Sequence, residues 1–175
     1  HPDLYALDLL AAVLGGGKAS RLYQIVKERG QLAYEIEGSH NTPRLAGELF
    51  VSLNTDEDKL DRARELVLAV LEQAKLDKPT EKELDRAKRM VKTQHVFAQM
   101  TAEQAANTIG SDWLNAGDLD FSRKYLEAVQ AVSGEEVLRA ARKYLLADRL
   151  NQALLLPEEN SRKPASQAAS ATGPG

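Results

Sequence analysis

Three consecutive glycines, Gly15, Gly16 and Gly17, divide two stretches of helical apolar spacing. They restrict the start of the fold to helix, tight connection, helix. Leu4, Leu7, Leu10, Ala11 and Leu14 recur at the interval of an amphipathic helix over 3–14. After the glycines, Ser20 opens a second helix with Leu22, Tyr23 and Val26 inward, and Gly30 ends it after Arg29. The run GGGKAS is not a phosphate loop. Ala19 separates Lys18 from Ser20, Ala12 stands where that motif needs its first glycine, and a helix rather than a strand precedes it.

Two strands follow. In Leu32–Ser39, Tyr34 and Ile36 share one face, with Ala33, Glu35 and Glu37 on the other. His40, Asn41, Thr42 and Pro43 supply turn chemistry, and Leu45–Leu53 alternates with Leu45, Gly47, Leu49, Val51 and Leu53 on one side. These segments predict an antiparallel hairpin. Helices are then expected over 58–76, 80–99, 101–117, 121–131 and 133–145. Capping boxes at Thr80/Glu83, Thr101/Gln104 and Ser133/Glu136 open three of them. A last strand is expected at Asn151–Leu156. Pro157 ends the folded part, and the small, polar, Pro/Gly-rich residues 158–175 read as a disordered tail or linker. The class is α+β, a small antiparallel or mixed sheet covered by helices.

Composition narrows the function. A net charge of −3 has neither the size nor the sign for binding nucleic acid or an anionic membrane. No apolar run reaches the roughly 18–20 residues of a membrane span. There is no cysteine, hence no thiolate metal site and no Cys nucleophile. A zinc peptidase helix needs two histidines one turn apart beside a glutamate. His1, His40 and His95 are far apart in sequence, and His95 reads as a half-buried structural residue. Glu35 and Glu37 share the outer face of the hairpin and read as solvated. No serine has an activating sequence context. Neither catalytic nor metal-ligating residues are therefore assigned.

Residues 9–38, LLAAVLGGGKASRLYQIVKERGQLAYEIEG, carry the strongest pattern. They resemble the C-terminal, non-metal-binding ("inactive") domain of the M16 zinc peptidases, the pitrilysin, insulinase and mitochondrial processing peptidase group. In that family a helix ends in LGGG, SRL and a helix follow, and a GLAY-type strand comes next. GELFVSLNTDEDKLDRARELV (47–67), PTEKELDRAKRMVKTQHV (79–96) and GDLDFSRKYLEAVQAVSGEEVLRAARKYL (117–145) match later parts in order.

The resemblance implies a LuxS/MPP-like metallohydrolase-type domain over 1–157, read as a piece whose N-terminal strands lie elsewhere. It implies the substrate-holding half of an enzyme that cleaves peptides in an enclosed chamber. Zinc would then sit on a homologous HxxEH-bearing domain, in the same chain or a partner subunit. The alternative it implies is a non-catalytic M16-like partner that binds peptides or assembles a complex. The family's substrate-binding Arg and Tyr, seven residues apart, fall on Lys27 and Tyr34, with Lys standing for Arg. Lys keeps the charge but lacks the planar fork. The resemblance also favours the bacterial periplasm over the cytoplasm, and an open sheet edge admits self-association of the chain. The purified 175-residue chain is expected to carry no stoichiometric zinc and to cleave no peptide; a metal assay that finds one zinc per chain would overturn this.

Overall fold

The computed structural model describes residues 1–42 and 47–156. The interior of the expected hairpin turn, with Leu45, and the expected tail lie outside the described residues. In order, the elements are α1 (Leu4–Gly15), a π-helical segment (Tyr23–Arg29), β1 (Glu35–Asn41), β2 (Glu48–Asn54), α2 (Leu60–Ala74), α3 (Glu81–Phe97), α4 (Ala102–Ala116), α5 (Phe121–Ala131) and α6 (Gly134–Tyr144). Short 3₁₀ turns precede α2 and follow α6. Among the described residues the strands form one two-stranded antiparallel sheet, with Glu35 opposite Asn54 and Asn41 opposite Glu48. No described helix is long and apolar enough to cross a membrane.

The hub is α1. Ala6, Leu9, Leu10, Ala11, Ala12, Val13 and Leu14 are all buried, so the helix is covered on every side rather than along one stripe. It packs against β1, α3, α5 and α6. Burying a leucine such as Leu9 or Leu14 contributes about 2 kcal/mol. Its two carboxylates are both partnered. Asp3 accepts from Lys143 Nζ at 2.6 Å and Tyr144 Oη at 2.9 Å on α6. The bond from Lys143 holds Asp3 below the usual carboxylate range, against the opposing effect of desolvation. Asp8 meets His40 Nδ1 of β1 at 2.6 Å and accepts from Tyr125 Oη of α5 at 2.5 Å. Desolvation beside the Asp8 carboxylate pushes the Tyr125 phenol well up.

The glycine run has a steric reason. The end of α1 lies directly on β1, and a Cβ at Gly15 would overlap the Gly38 backbone nitrogen and Cα. A Cβ at Gly38 would sit 3.1 Å from Gly15 Cα. Gly17 then takes φ +74°, the left-handed region that side chains avoid. Ser20 is fully buried at the start of the next helix. Arg21 forks onto Glu83, Nε to Oε1 at 2.7 Å and Nη2 to Oε2 at 3.0 Å. Glu83 also closes the capping box on Thr80. The guanidinium bonds outweigh desolvation and hold the Glu83 carboxyl at about 2.

All three capping boxes form as expected. His95 is half-buried and stacks on Tyr125, centroids 5.9 Å apart. The second helix forms as expected and is π-helical over 23–29. Two expectations need correction. His40 is not a turn residue: it pairs with Leu49 inside β1, with its side chain 5% exposed against Asp8. Asn151–Leu156 forms no strand: it pairs with no described strand, and Leu155 is 98% exposed. Strand propensity becomes a strand only where a neighbour accepts its hydrogen bonds.

Gly15→Ala should destabilise the domain by more than about 3 kcal/mol, because helix and strand must separate to admit one methyl. Gly17→Ala should cost about 1 kcal/mol, since it meets only the backbone penalty. Denaturant melts of the two variants check the order; equal losses would refute the packing account.

Candidate functional site

The site grows from the turn between the π-helical segment and β1. Gly30 N–H bonds the Ile25 carbonyl at 2.9 Å, the wide spacing of a π-turn. Leu32 N–H reaches back to the Val26 carbonyl at 3.0 Å. Between them Gln31 takes φ +52°, with its side-chain amide donating to the Glu28 carbonyl at 2.8 Å. A left-handed glutamine costs roughly 1–2 kcal/mol and persists because its surroundings hold it.

Hairpin pairing begins at Tyr34, whose N–H donates to the Asn54 carbonyl at 2.8 Å. Thr55 Oγ1 ties the Leu32 carbonyl at 2.6 Å. The chain bends at Tyr34 before β1 starts. Period-two reading put Tyr34 on the face of Ile36, yet Ile36 is 7% exposed and Tyr34 61%. The bend breaks the alternation and turns the ring to solvent.

Both sequence-predicted site residues come together here. Lys27 Nζ donates to the Tyr34 backbone carbonyl and lies 5.1 Å from the centroid of the Tyr23 ring. Lys27, Gln31, Tyr34, Thr55 and Lys59 line one open cleft of about 270 Å³. Tyr34 Oη donates to Asp56, 2.9 Å from each carboxylate oxygen. Lys59 Nζ donates to Asp56 Oδ2 at 2.7 Å and stands 5.6 Å from the Tyr34 ring centroid. The Asp56 carboxylate raises the Tyr34 phenol above its ordinary value, and the nearby charge of Lys59 opposes this only in part. Lys59 in turn holds Asp56 below its usual range.

The cleft thus offers two ammonium groups and a phenol kept protonated, a set suited to hydrogen-bonding carbonyl or carboxylate oxygens. It holds no nucleophile–base pair. No cluster of metal-ligating side chains occurs among the described residues. Glu35 and Glu37 are exposed, as expected. Asp56 and Lys59 were missed at the level of sequence. The signal was present in the hairpin register: with Tyr34 bonded to Asn54, the residues just past Asn54 must flank the tyrosine.

The Peptidase M16 inactive domain model matches residues 1–91. The chain belongs to this family. It is 27% identical over 141 residues to an uncharacterized zinc protease of Rickettsia felis, covering 80% of this chain and 34% of that protein. It is 29% identical over 160 residues to the uncharacterized zinc protease YmxG of Bacillus subtilis, covering 91% and 39%. The solved peptidase M16 inactive domain from Pseudomonas fluorescens superposes with a TM-score of 0.72 at 27% identity, over 82% of this chain and 34% of that one. The chain therefore spans roughly a third of the length of the curated relatives it matches.

Asp56→Asn should bring the Tyr34 pKa back down toward the ordinary tyrosine value, because the charge that disfavours phenolate is gone. A phenolate absorbance titration, with Tyr34→Phe subtracted to assign the signal, checks this. An unmoved titration would show that Asp56 does not hold the hydroxyl in solution.

Proposed function

We propose that this domain is the metal-free, substrate-holding half of an M16 zinc endopeptidase. The supporting observation is the convergence of Lys27 and Tyr34 at one cleft beside the hairpin. A homologous HxxEH-bearing domain would hold zinc and activate the attacking water. The present domain would close over that site as the far wall of a chamber. Its substrate is an extended peptide. In the engaged state the Tyr34 hydroxyl turns from Asp56 to a peptide carbonyl oxygen, and Lys27 stands beside it as a second donor. Charge growing on that oxygen strengthens both bonds, which is where such donors lower a barrier. Lys59 keeps Asp56 ionised, so the tyrosine has a fixed resting position. The compartment proposed for the intact protein is the bacterial periplasm.

One observation favours the second reading, a non-catalytic partner that binds peptides or assembles a complex. Lys27 replaces the family's Arg and bonds its own chain at the Tyr34 carbonyl. A single ammonium occupied in this way has less to offer a substrate than a planar fork.

The experiment is Tyr34→Phe in the intact zinc-bearing protein. Turnover should fall about 100-fold, the loss typical of one donor to a developing oxyanion, with zinc content unchanged. Lys27→Arg should retain or raise activity. An unchanged rate in Tyr34→Phe would sink the catalytic-support reading in favour of the second one.

A further inference from the structure

Asp56 lies between β2 and α2, at the N-cap position of the 3₁₀ turn Glu57–Lys59, with φ −76° and ψ 153°. A carboxylate at such a position ordinarily accepts a backbone N–H of the turn that follows. Asp56 makes no such bond to this turn. Its oxygens go to side chains instead: Tyr34 Oη stands 2.9 Å from both, and Lys59 Nζ 2.7 Å from Oδ2. The turn closes without them, by Lys59 N–H donating to the Asp56 carbonyl at 3.1 Å. The carboxylate therefore serves the cleft rather than the local fold. The tyrosine, for its part, is fixed at its backbone and free at its tip. Its N–H is bonded to Asn54 and its carbonyl accepts from Lys27, so the ring can turn about its side-chain bonds without disturbing the hairpin. The contact stands in the open, with the Asp56 side chain 41% exposed. A phenol carries one proton and cannot donate to Asp56 and to a peptide carbonyl at once. A carboxylate is the stronger acceptor of the two, so a neutral peptide meets a hydroxyl already engaged.

We propose that Asp56 is an internal competitor of the substrate: it latches the Tyr34 hydroxyl in the resting cleft, and a peptide binds productively only by displacing it. This rests on the peptide-holding reading of the cleft and adds the regulation of that same site. The latch lowers the apparent affinity for peptide by the fraction of molecules whose hydroxyl is free. Lys59 keeps the displaced carboxylate at the edge of the cleft, in place to take the hydroxyl back when the product leaves. The latch also discriminates between oxygens. A neutral amide carbonyl competes poorly with Asp56, whereas a carbonyl oxygen gathering negative charge competes as an equal. A peptide on which that charge is developing is thus held more firmly than one that merely enters the cleft.

The test is made in the intact zinc-bearing protein with an uncharged quenched-fluorescent peptide that the parent cleaves. Asp56→Asn keeps the shape and removes the charge. It should raise kcat/KM about fivefold, the gain expected where roughly one hydroxyl in five is free at rest. Asp56→Ala should raise it at least as much. In a Tyr34→Phe background neither substitution should change kcat/KM, because the effect runs through the hydroxyl alone. A fall in kcat/KM in the Asp56 variants would mark the carboxylate as a support for the tyrosine and overturn the proposal. So would an unchanged value, or a gain that persists without the hydroxyl. Tyr34→Phe by itself separates the two ways of failing. If it retains full turnover, the peptide-holding reading fails and the latch falls with it; if it loses turnover while the Asp56 variants show no gain, the latch alone fails.

Discussion

The backbone contact between Gly15 and Gly38 is the constraint on which the other positions depend. A helix apolar on nearly every side can be buried only if something lies close all around it, and at its C-terminal end that something is a strand with no room for a side chain. The contact fixes how far β1 stands from α1. It thereby brings His40 to Asp8 from the strand side while Tyr125 reaches the same carboxylate from α5. Asp3 is held the same way by Lys143 and Tyr144 of α6. The hub therefore packs by shape and is keyed by two carboxylates, each satisfied by neighbours distant in sequence. Those bonds matter chiefly because an unpaired carboxylate in that position would be costly.

The cleft is built outward from the same contact. With β1 set against α1, the chain has only residues 30–34 in which to leave the preceding helix, reverse and enter the strand. The wide π-turn, the left-handed Gln31 and the bend at Tyr34 accomplish that reversal. Their consequence is chemical: the tyrosine that strand alternation would bury is turned out beside Lys27, where Asp56 and Lys59 fix its orientation. Local backbone strain here buys a position for a polar side chain, as irregular segments beside rigid elements commonly do. On α4 the pattern is inverted. α4 holds on by a buried carboxylate and leaves its tryptophan and leucine outside.

Much of this was legible in the chain. The three capping boxes, the glycine stop, the hairpin and the helical order could be read from local patterns, because each depends on residues within a few positions of one another. The order LGGG, SRL, LAY carries the resemblance to the family and pairs Lys27 with Tyr34. Local patterns could not show that Gly15 is there for Gly38, that His40 meets Asp8, or that Tyr34 faces Asp56. Those are contacts between residues 23, 32 and 22 positions apart.

The sequence by itself determined which segments are helices, where they start and stop, that the chain carries no thiol, and which family it joins. Hydrogen bonds to the next turn and the periodicity of apolar side chains are sufficient for that. Only the tertiary structure decided that α1 is enclosed on all sides, that residues 151–156 pair with no described strand, and which way Tyr34 and Trp113 face. Burial and strand pairing are properties of what lies opposite a residue, and that neighbour is chosen by the fold as a whole.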